Sequence, residues 1–189
     1  VQVIEFLIFS NTGNKSIVAA EKGGPIIDVP LPANYTNLQF ESGAIGDRYI
    51  KTNTGFADTS AVNPGDQSHQ IVFSIDLPLS KANLFGSRSI KIEQDIPFAA
   101  SKITILSPEG VTVSGSNVQS SGVTDMGNGA KYLSYAITLA EPNKHISVSV
   151  NGLPKDSKIA STSSNTGIII GIGALGVVLI IVGIWMYFF

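Results

Sequence analysis

Residues Gly167–Phe189 read GIIIGIGALGVVLIIVGIWMYFF, twenty-three positions with neither a charge nor a proline. At about 1.5 Å per residue an unbroken helix over this run reaches ~34 Å, enough to cross a ~30 Å hydrocarbon layer. Inside lipid every backbone N–H and C=O needs a partner within the segment, so a lone apolar run spans as a helix. The run therefore predicts one C-terminal transmembrane α-helix over 167–189. Gly173, Gly176 and Gly183 fall within about 80° of one another on such a helix, and Gly167 and Gly171 form a G-x-x-x-G on another face. Small residues let a second helix approach closely, so these five glycines are the candidate helix-packing residues, set against glycine that is merely tolerated in a span. Trp185 and Tyr187 are the candidate anchors at one membrane interface.

Working back from the helix, residues 154–166 are dominated by Ser, Thr and Asn and show no apolar period, so a flexible linker is expected there. All 12 Lys and Arg and all 14 Asp and Glu precede Gly167, which leaves the preceding part nearly neutral with a net charge of −2. That balance supplies neither a polybasic membrane patch nor a nucleic-acid-binding surface, and nucleic acid is excluded as an expected partner. The absence of cysteine excludes disulfides, thiolate metal sites and covalent haem attachment, and no cofactor is expected. The chain opens inside an apolar strand-like run and closes as abruptly at Phe189, so Val1 reads as a processing boundary rather than a natural start.

Residues 1–153 read as short strands separated by turn clusters. Val1–Phe9 is apolar on both faces, Ile4, Phe6 and Ile8 on one and Val3, Leu7 and Phe9 on the other, as in a strand central in its sheet. Ile17–Ala20 is expected to return as its hairpin partner. Pro30 and Pro32 each remove a ladder donor and send IIDVPLP to an edge. Asn34–Glu41 and Arg48–Thr52 are the next strands. His69–Leu77 has the cleanest alternation, with Ile71, Phe73, Ile75 and Leu77 on the core face. Further strands are expected at Ser89–Glu93, Lys102–Leu106, Val111–Ser114, Lys131–Leu139 and His145–Val150. In the last of these, Ile146, Val148 and Val150 point inward. Asn53–Ser68 has no period and reads as a long loop. Some eleven short strands without an amphipathic helix predict an all-β, antiparallel β-sandwich ectodomain, one large or two small sandwiches with a sub-boundary near 78–86.

Few residues here carry chemistry. Both histidines, His69 and His145, are read as ordinary strand residues, because no spacing brings them to Met126 or to each other as a metal site needs. Asp47, Asp58, Asp66, Asp76 and Asp125 are read as solvated turn aspartates; none lies in a dense calcium loop, and an ion built from distant loops is the alternative. No G-x-S-x-G or S-x-x-K run marks a nucleophile, so no catalytic residue is assigned and the chain is expected not to be an enzyme. Asn14 and Asn34 begin N-x-[ST] triplets and are candidate glycosylation acceptors.

The runs VQVIEFLIFSNTG (1–13), GGPIIDVPLP (23–32), NLQF (37–40) and GFADTSAVNPGDQSHQIVFSIDLP (55–78) resemble uncharacterised bacterial single-pass membrane proteins. These have carboxypeptidase-regulatory-like or Ig-like β-sandwich ectodomains. The resemblance covers residues 1–150 and the terminal run, and it rests on packing and turn patterns. It implies a surface-exposed sandwich with an anchor; the regulatory-like name describes a fold, not a peptidase. Lys155 and Lys158 beside the helix would by themselves draw the β part to the cytoplasm. Asp156 offsets them, and the resemblance to exported domains places the β part on the extracytoplasmic side of the cell membrane.

The reading that results is a non-enzymatic, membrane-anchored surface or envelope protein, a structural or accessory subunit of a larger assembly. Its partners are membrane lipid and a protein partner, or a second copy, met through the helix. Two alternatives stand beside it: a ligand-, metal- or glycan-binding surface module using the Asn53–Ser68 loop, and an accessory subunit of a membrane redox complex.

Overall fold

A computed structural model describes residues 1–65, 69–78, 89–125, 131–137, 144–152 and 154, and residues 176–185 as a backbone ladder. Within these there is no helix, and thirteen strands follow one another. They are β1 (Gln2–Asn11), β2 (Ile27–Pro30), β3 (Thr36–Phe40), β4 (Tyr49–Lys51), β5 (Gly55–Asp58), β6 (His69–Asp76), β7 (Ser89–Ile96), β8 (Ala100–Pro108), β9 (Val111–Gly115), β10 (Val118–Asp125), β11 (Lys131–Ile137), β12 (Lys144–Gly152) and β13 (Gly176–Trp185). A seven-stranded sheet has the order β10-β11-β8-β13-β1-β6-β3, and two three-stranded sheets have the orders β7-β12-β9 and β2-β5-β4. Every pairing is antiparallel except that of β1 with β13.

The alternating strands behave as their patterns require. Ile71, Phe73 and Ile75 of β6 and Leu77 just beyond it are buried, as are Ile146, Val148 and Val150 of β12. Strand β7 alternates over its whole length, burying Ile90, Ile92, Gln94 and Ile96. One cluster joins the inner face of the large sheet (Val3, Leu7, Phe9, Ile103, Ile105) to side chains of both small sheets, such as Ile27, Val29 and Phe56 from one and Ile92, Val113 and Val148 from the other. The arrangement is β-sandwich-like, with residues on both sides of 78–86 feeding the same core; residues 79–86 of that stretch lie outside the described residues. Four aromatic rings mark the centre of one half. Phe56 stands edge-on to Phe40, Tyr49 and Phe73 at centroid distances of 4.9, 5.4 and 5.0 Å. Such contacts add to area burial because each ring edge meets a π face.

Three local expectations change. Ile17–Ala20 does not pair with β1; Ile17 instead exchanges backbone hydrogen bonds with Val62. Segment 53–68 is not one loop, because Gly55–Asp58 forms β5 at the centre of its sheet with all four residues buried. Gly55 is required there: a Cβ would stand 2.2 Å from the Val29 carbonyl oxygen. A polar strand, β10, lies at the edge of the large sheet, with its register shifted at Gly122, where φ is 97°. Strand β1 is central, as its two apolar faces predict, with β6 on one side. On its other side lies β13.

Strand β13 falls within the run that the sequence reading gives to a membrane helix; the rest of that run lies outside the described residues. Where that reading has a helix over 167–189, residues 176–185 pair with β1 from Gln2↔Gly176 to Asn11↔Trp185 and with β8 from Leu106↔Val178 to Ala100↔Gly183. The ambiguity is physical: an apolar run has no period that separates a buried strand from a helix. The β-branched residues Val177, Val178, Ile180, Ile181, Val182 and Ile184 favour the pleated surface. Edge Pro30 and Gln94, next to the buried carboxylate Glu5, bring β2 and β7 together over β1.

Candidate functional site

The densest polar cluster gathers where the β4, β5 and β6 strands meet. Asp58 closes β5, and its backbone is held by the ladder from both sides, opposite Ile27 and Tyr49. Its side chain is 0% exposed. Arg48, just ahead of β4, donates to Asp58 Oδ2 through Nε at 3.0 Å and through Nη2 at 2.7 Å. His69, the first residue of β6, places Nε2 at 3.0 Å from the same oxygen. The other carboxylate oxygen, Oδ1, accepts the Ser60 N–H at 2.8 Å. An ionised Asp58 only accepts, so His69 carries a proton on Nε2.

Arg48 reaches further. Its Nη2 also donates to the Gln70 carbonyl at 2.9 Å, and its guanidinium lies 5.1 Å from the centre of the Tyr49 ring. The Arg48 carbonyl accepts both the Thr59 N–H and the Thr59 hydroxyl. The cluster thus ties the β2-β5-β4 sheet to β6 of the large sheet. Burial alone would raise the Asp58 carboxyl, but the bonds from His69, Arg48 and Ser60 outweigh it and hold the pKa at about 2. Burial works against the Arg48 charge too, and Asp58 more than offsets it, so the guanidinium pKa is raised. Burial is also what pushes the Tyr49 phenol up to about 12.

Chemically this is an aspartate–histidine pair in which Arg48 shares the carboxylate oxygen that the imidazole contacts. Among the described residues no hydroxyl is bonded to His69, whose Nε2–H is committed to Asp58. The Asp58 oxygens are filled by four donors. What such a constellation does is hold strands in place and present the adjoining turns. Asn11 continues it, buried, donating from Nδ2 to the Lys15 and Val62 carbonyls and accepting the Gly13 N–H at Oδ1.

Of the aspartates read as solvated turn residues, Asp58 requires correction, since it is buried and ion-paired. Asp47 and Asp125 are exposed. Asp76 accepts the Asn37 side-chain amide at 2.9 Å, and Asp66 lies outside the described residues. His145 stands exposed on β12 with Nδ1 2.8 Å from Asp95 Oδ1 on β7, far in the chain from His69 and with a different partner. Among the described residues no three His, Asp or Glu side chains are grouped to hold a metal ion. Asn14 and Asn34 are both exposed, Asn34 with a φ of 63°. Gly176 stands in register with Gln2, Gly183 with Phe9 and Ala100, and Trp185 with Asn11. Gly167, Gly171, Gly173 and Tyr187 lie outside the described residues, as does Met126.

A second carboxylate escapes the sequence reading entirely. Glu5 shares the inward parity of Val3, Leu7 and Phe9 and is 0% exposed. Gln94 Nε2 bridges it to the other layer, donating to Glu5 Oε2 at 3.2 Å and to the Pro30 carbonyl at 3.1 Å. Among the described residues Glu5 Oε1 has no hydrogen-bond partner. Burial raises this carboxyl to about 7, with the Gln94 bond pulling weakly the other way. The available signal was the odd-numbered apolar row itself, in which a glutamate interrupts Val3-x-Glu5-x-Leu7. Comparison with known proteins adds no neighbour: no family model, curated protein or solved structure matches this chain.

Proposed function

We propose that the protein is a non-enzymatic, membrane-anchored surface or envelope protein of the β-sandwich type, a structural or accessory subunit of a larger membrane assembly. The observation that carries this reading is the run Gly167–Phe189, uncharged throughout, against a preceding part that holds every charged residue of the chain. Strand β13 uses ten residues of that run, fewer than half, and its full length matches what a helix needs to cross a bilayer. The polar cluster supports the non-catalytic part: both Asp58 oxygens are taken up by Arg48, Ser60 and His69. The resemblance to single-pass proteins with Ig-like ectodomains supports an extracytoplasmic β part, and the glycines of the run support contact with a protein partner or second copy.

Protease treatment of intact cells tests the topology. Degradation of the β part down to a protected fragment containing Gly167–Phe189 is expected; full protection of the β part would overturn the orientation. Recovery of the protein in the alkaline-soluble fraction, free of membrane, would overturn the anchor. Solubilisation in mild detergent should recover it together with other chains.

A further inference from the structure

Residues 176–185 are suited to two environments that exclude each other. In the large sheet they lie between β1 and β8, paired over ten residues with one and from Val178 to Gly183 with the other. Without them the sheet separates into β10-β11-β8 and β1-β6-β3. Each part would then end in an unpaired central edge carrying buried apolar residues, Ile103 and Ile105 on β8 and Val3, Leu7 and Phe9 on β1. Two such edges about 10 Å apart, two strand spacings, form a slot for one extended strand without charge. The segment that occupies it is the middle of the run long enough to cross a bilayer.

Both environments satisfy the same two demands. A central strand pairs its N–H and C=O groups with two neighbours; a membrane helix pairs them within itself. A bilayer removes the apolar side chains of the run from water, and the slot is edged by strands β1 and β8, which carry the buried residues Val3, Leu7, Ile103 and Ile105. Neither leaves a charge to be desolvated, because the run has none. The twenty-three residues between Gly152 and Gly176 give the chain the contour to reach either place.

We propose that the slot between β1 and β8 is an acceptor site for this chain's own anchor segment. It shelters residues 176–185 as a strand in the absence of a bilayer and gives them up when the segment enters a membrane as a helix. The inference rests on the anchor reading above. Its distinct content is that the β part serves its own apolar tail as a holding site, so that one segment has two exclusive partners.

The chain has no cysteine, so paired substitutions report on a clean background. In the sheet Ser10 stands in register with Ile184, and Lys102 with Val182. Full-length S10C/I184C and K102C/V182C proteins are oxidised without lipid and again after reconstitution into vesicles of phosphatidylcholine and phosphatidylglycerol. The expected result is an intramolecular cross-link in both variants without lipid, and its loss by about tenfold in the protein that floats with vesicles, since a membrane helix cannot pair with β1. Adding Ile180→Pro should suppress the lipid-free cross-link by about tenfold while flotation persists, because proline breaks a central ladder yet is tolerated in a membrane helix. Absence of the cross-link without lipid would overturn the holding site. A cross-link that persists in floating protein would overturn the exclusivity. A cross-link found only between two chains would make the donor a second copy and overturn the proposal. Failure to float, with the cross-link intact, would instead sink the anchor reading and leave β13 an ordinary strand.

Discussion

Asp58 and Glu5 are both carboxylates removed from water, and they end with opposite properties. Asp58 meets four donors, two of them from a guanidinium, and its pKa falls to about 2. Among the described residues Glu5 meets one amide and keeps an unpartnered oxygen, and its pKa rises to about 7. Neither is exposed to solvent, but Glu5 lies deeper and has fewer partners. Asp58 is a charge that the fold was built around, whereas Glu5 is a charge that the fold suppresses.

Mutation of either should make the contrast quantitative. Asp58→Ala should cost about 3–5 kcal/mol, because it leaves Arg48 and His69 without their acceptor at the junction of two sheets. Urea denaturation measures it, and a cost under about 1 kcal/mol would mean that the cluster is an ornament of the surface. Glu5→Gln should act the other way. Above pH 7 it removes the cost of a buried charge, about 3 kcal/mol from the shift of 4.5 to about 7, and below pH 4.5 it should change little. Equal stability of the two proteins at pH 8 would mean that Glu5 finds a partner in solution.

The pH profile separates the two groups without mutation. A carboxyl whose folded pKa is depressed contributes stability above its unfolded value and loses it as pH falls through the folded one. For Asp58 that window runs from 3.8 down to about 2, and the loss is about 2 kcal/mol. A carboxyl whose folded pKa is raised does the reverse: Glu5 lowers stability progressively as pH rises from 4.5 through about 7. Stability should therefore peak between these windows, near pH 4. A plateau from pH 5 to 8 would break the assignment for Glu5.

Smaller effects sharpen the contrast. Arg48→Lys should cost about 1–2 kcal/mol, since an ammonium cannot reproduce the two bonds to Oδ2 together with the contact to Gln70. His145→Ala removes a histidine that also faces a carboxylate, but in water, and should stay within about 0.5 kcal/mol of the parent.

The alternation rules made most of the sandwich legible. Strands β6, β7 and β12 each bury one face and wet the other, and that period is visible in HQIVFSID, SIKIEQDI and KHISVSVNG. Pro30 announced an edge, and β2 is one. What stayed hidden lacked a period. Strand β5 is four residues long and buried on every side, so nothing alternates, and its aspartate reads as turn chemistry until its partners ten and eleven residues away are known. Strand β10 is polar and bulged, with VQSSGVTD looking like a loop. Glu5 was in plain view, but a sequence does not say that Gln94 lies opposite. Residues 176–185 suit a strand and a helix alike, and only neighbours decide between them.

The parallel pairing of β1 with β13 also sets a schedule for synthesis. The middle of the largest sheet is built from the first and last strands described, which are separated by nearly the whole chain. Such a contact closes a very long loop, and its entropy must be met before the pairing stabilises anything. As the chain leaves the ribosome, β1 and β8 emerge early and wait, each with an open apolar edge, until residues 176–185 arrive. That interval is when a chaperone has most to bind and when two nascent chains are most apt to pair with each other.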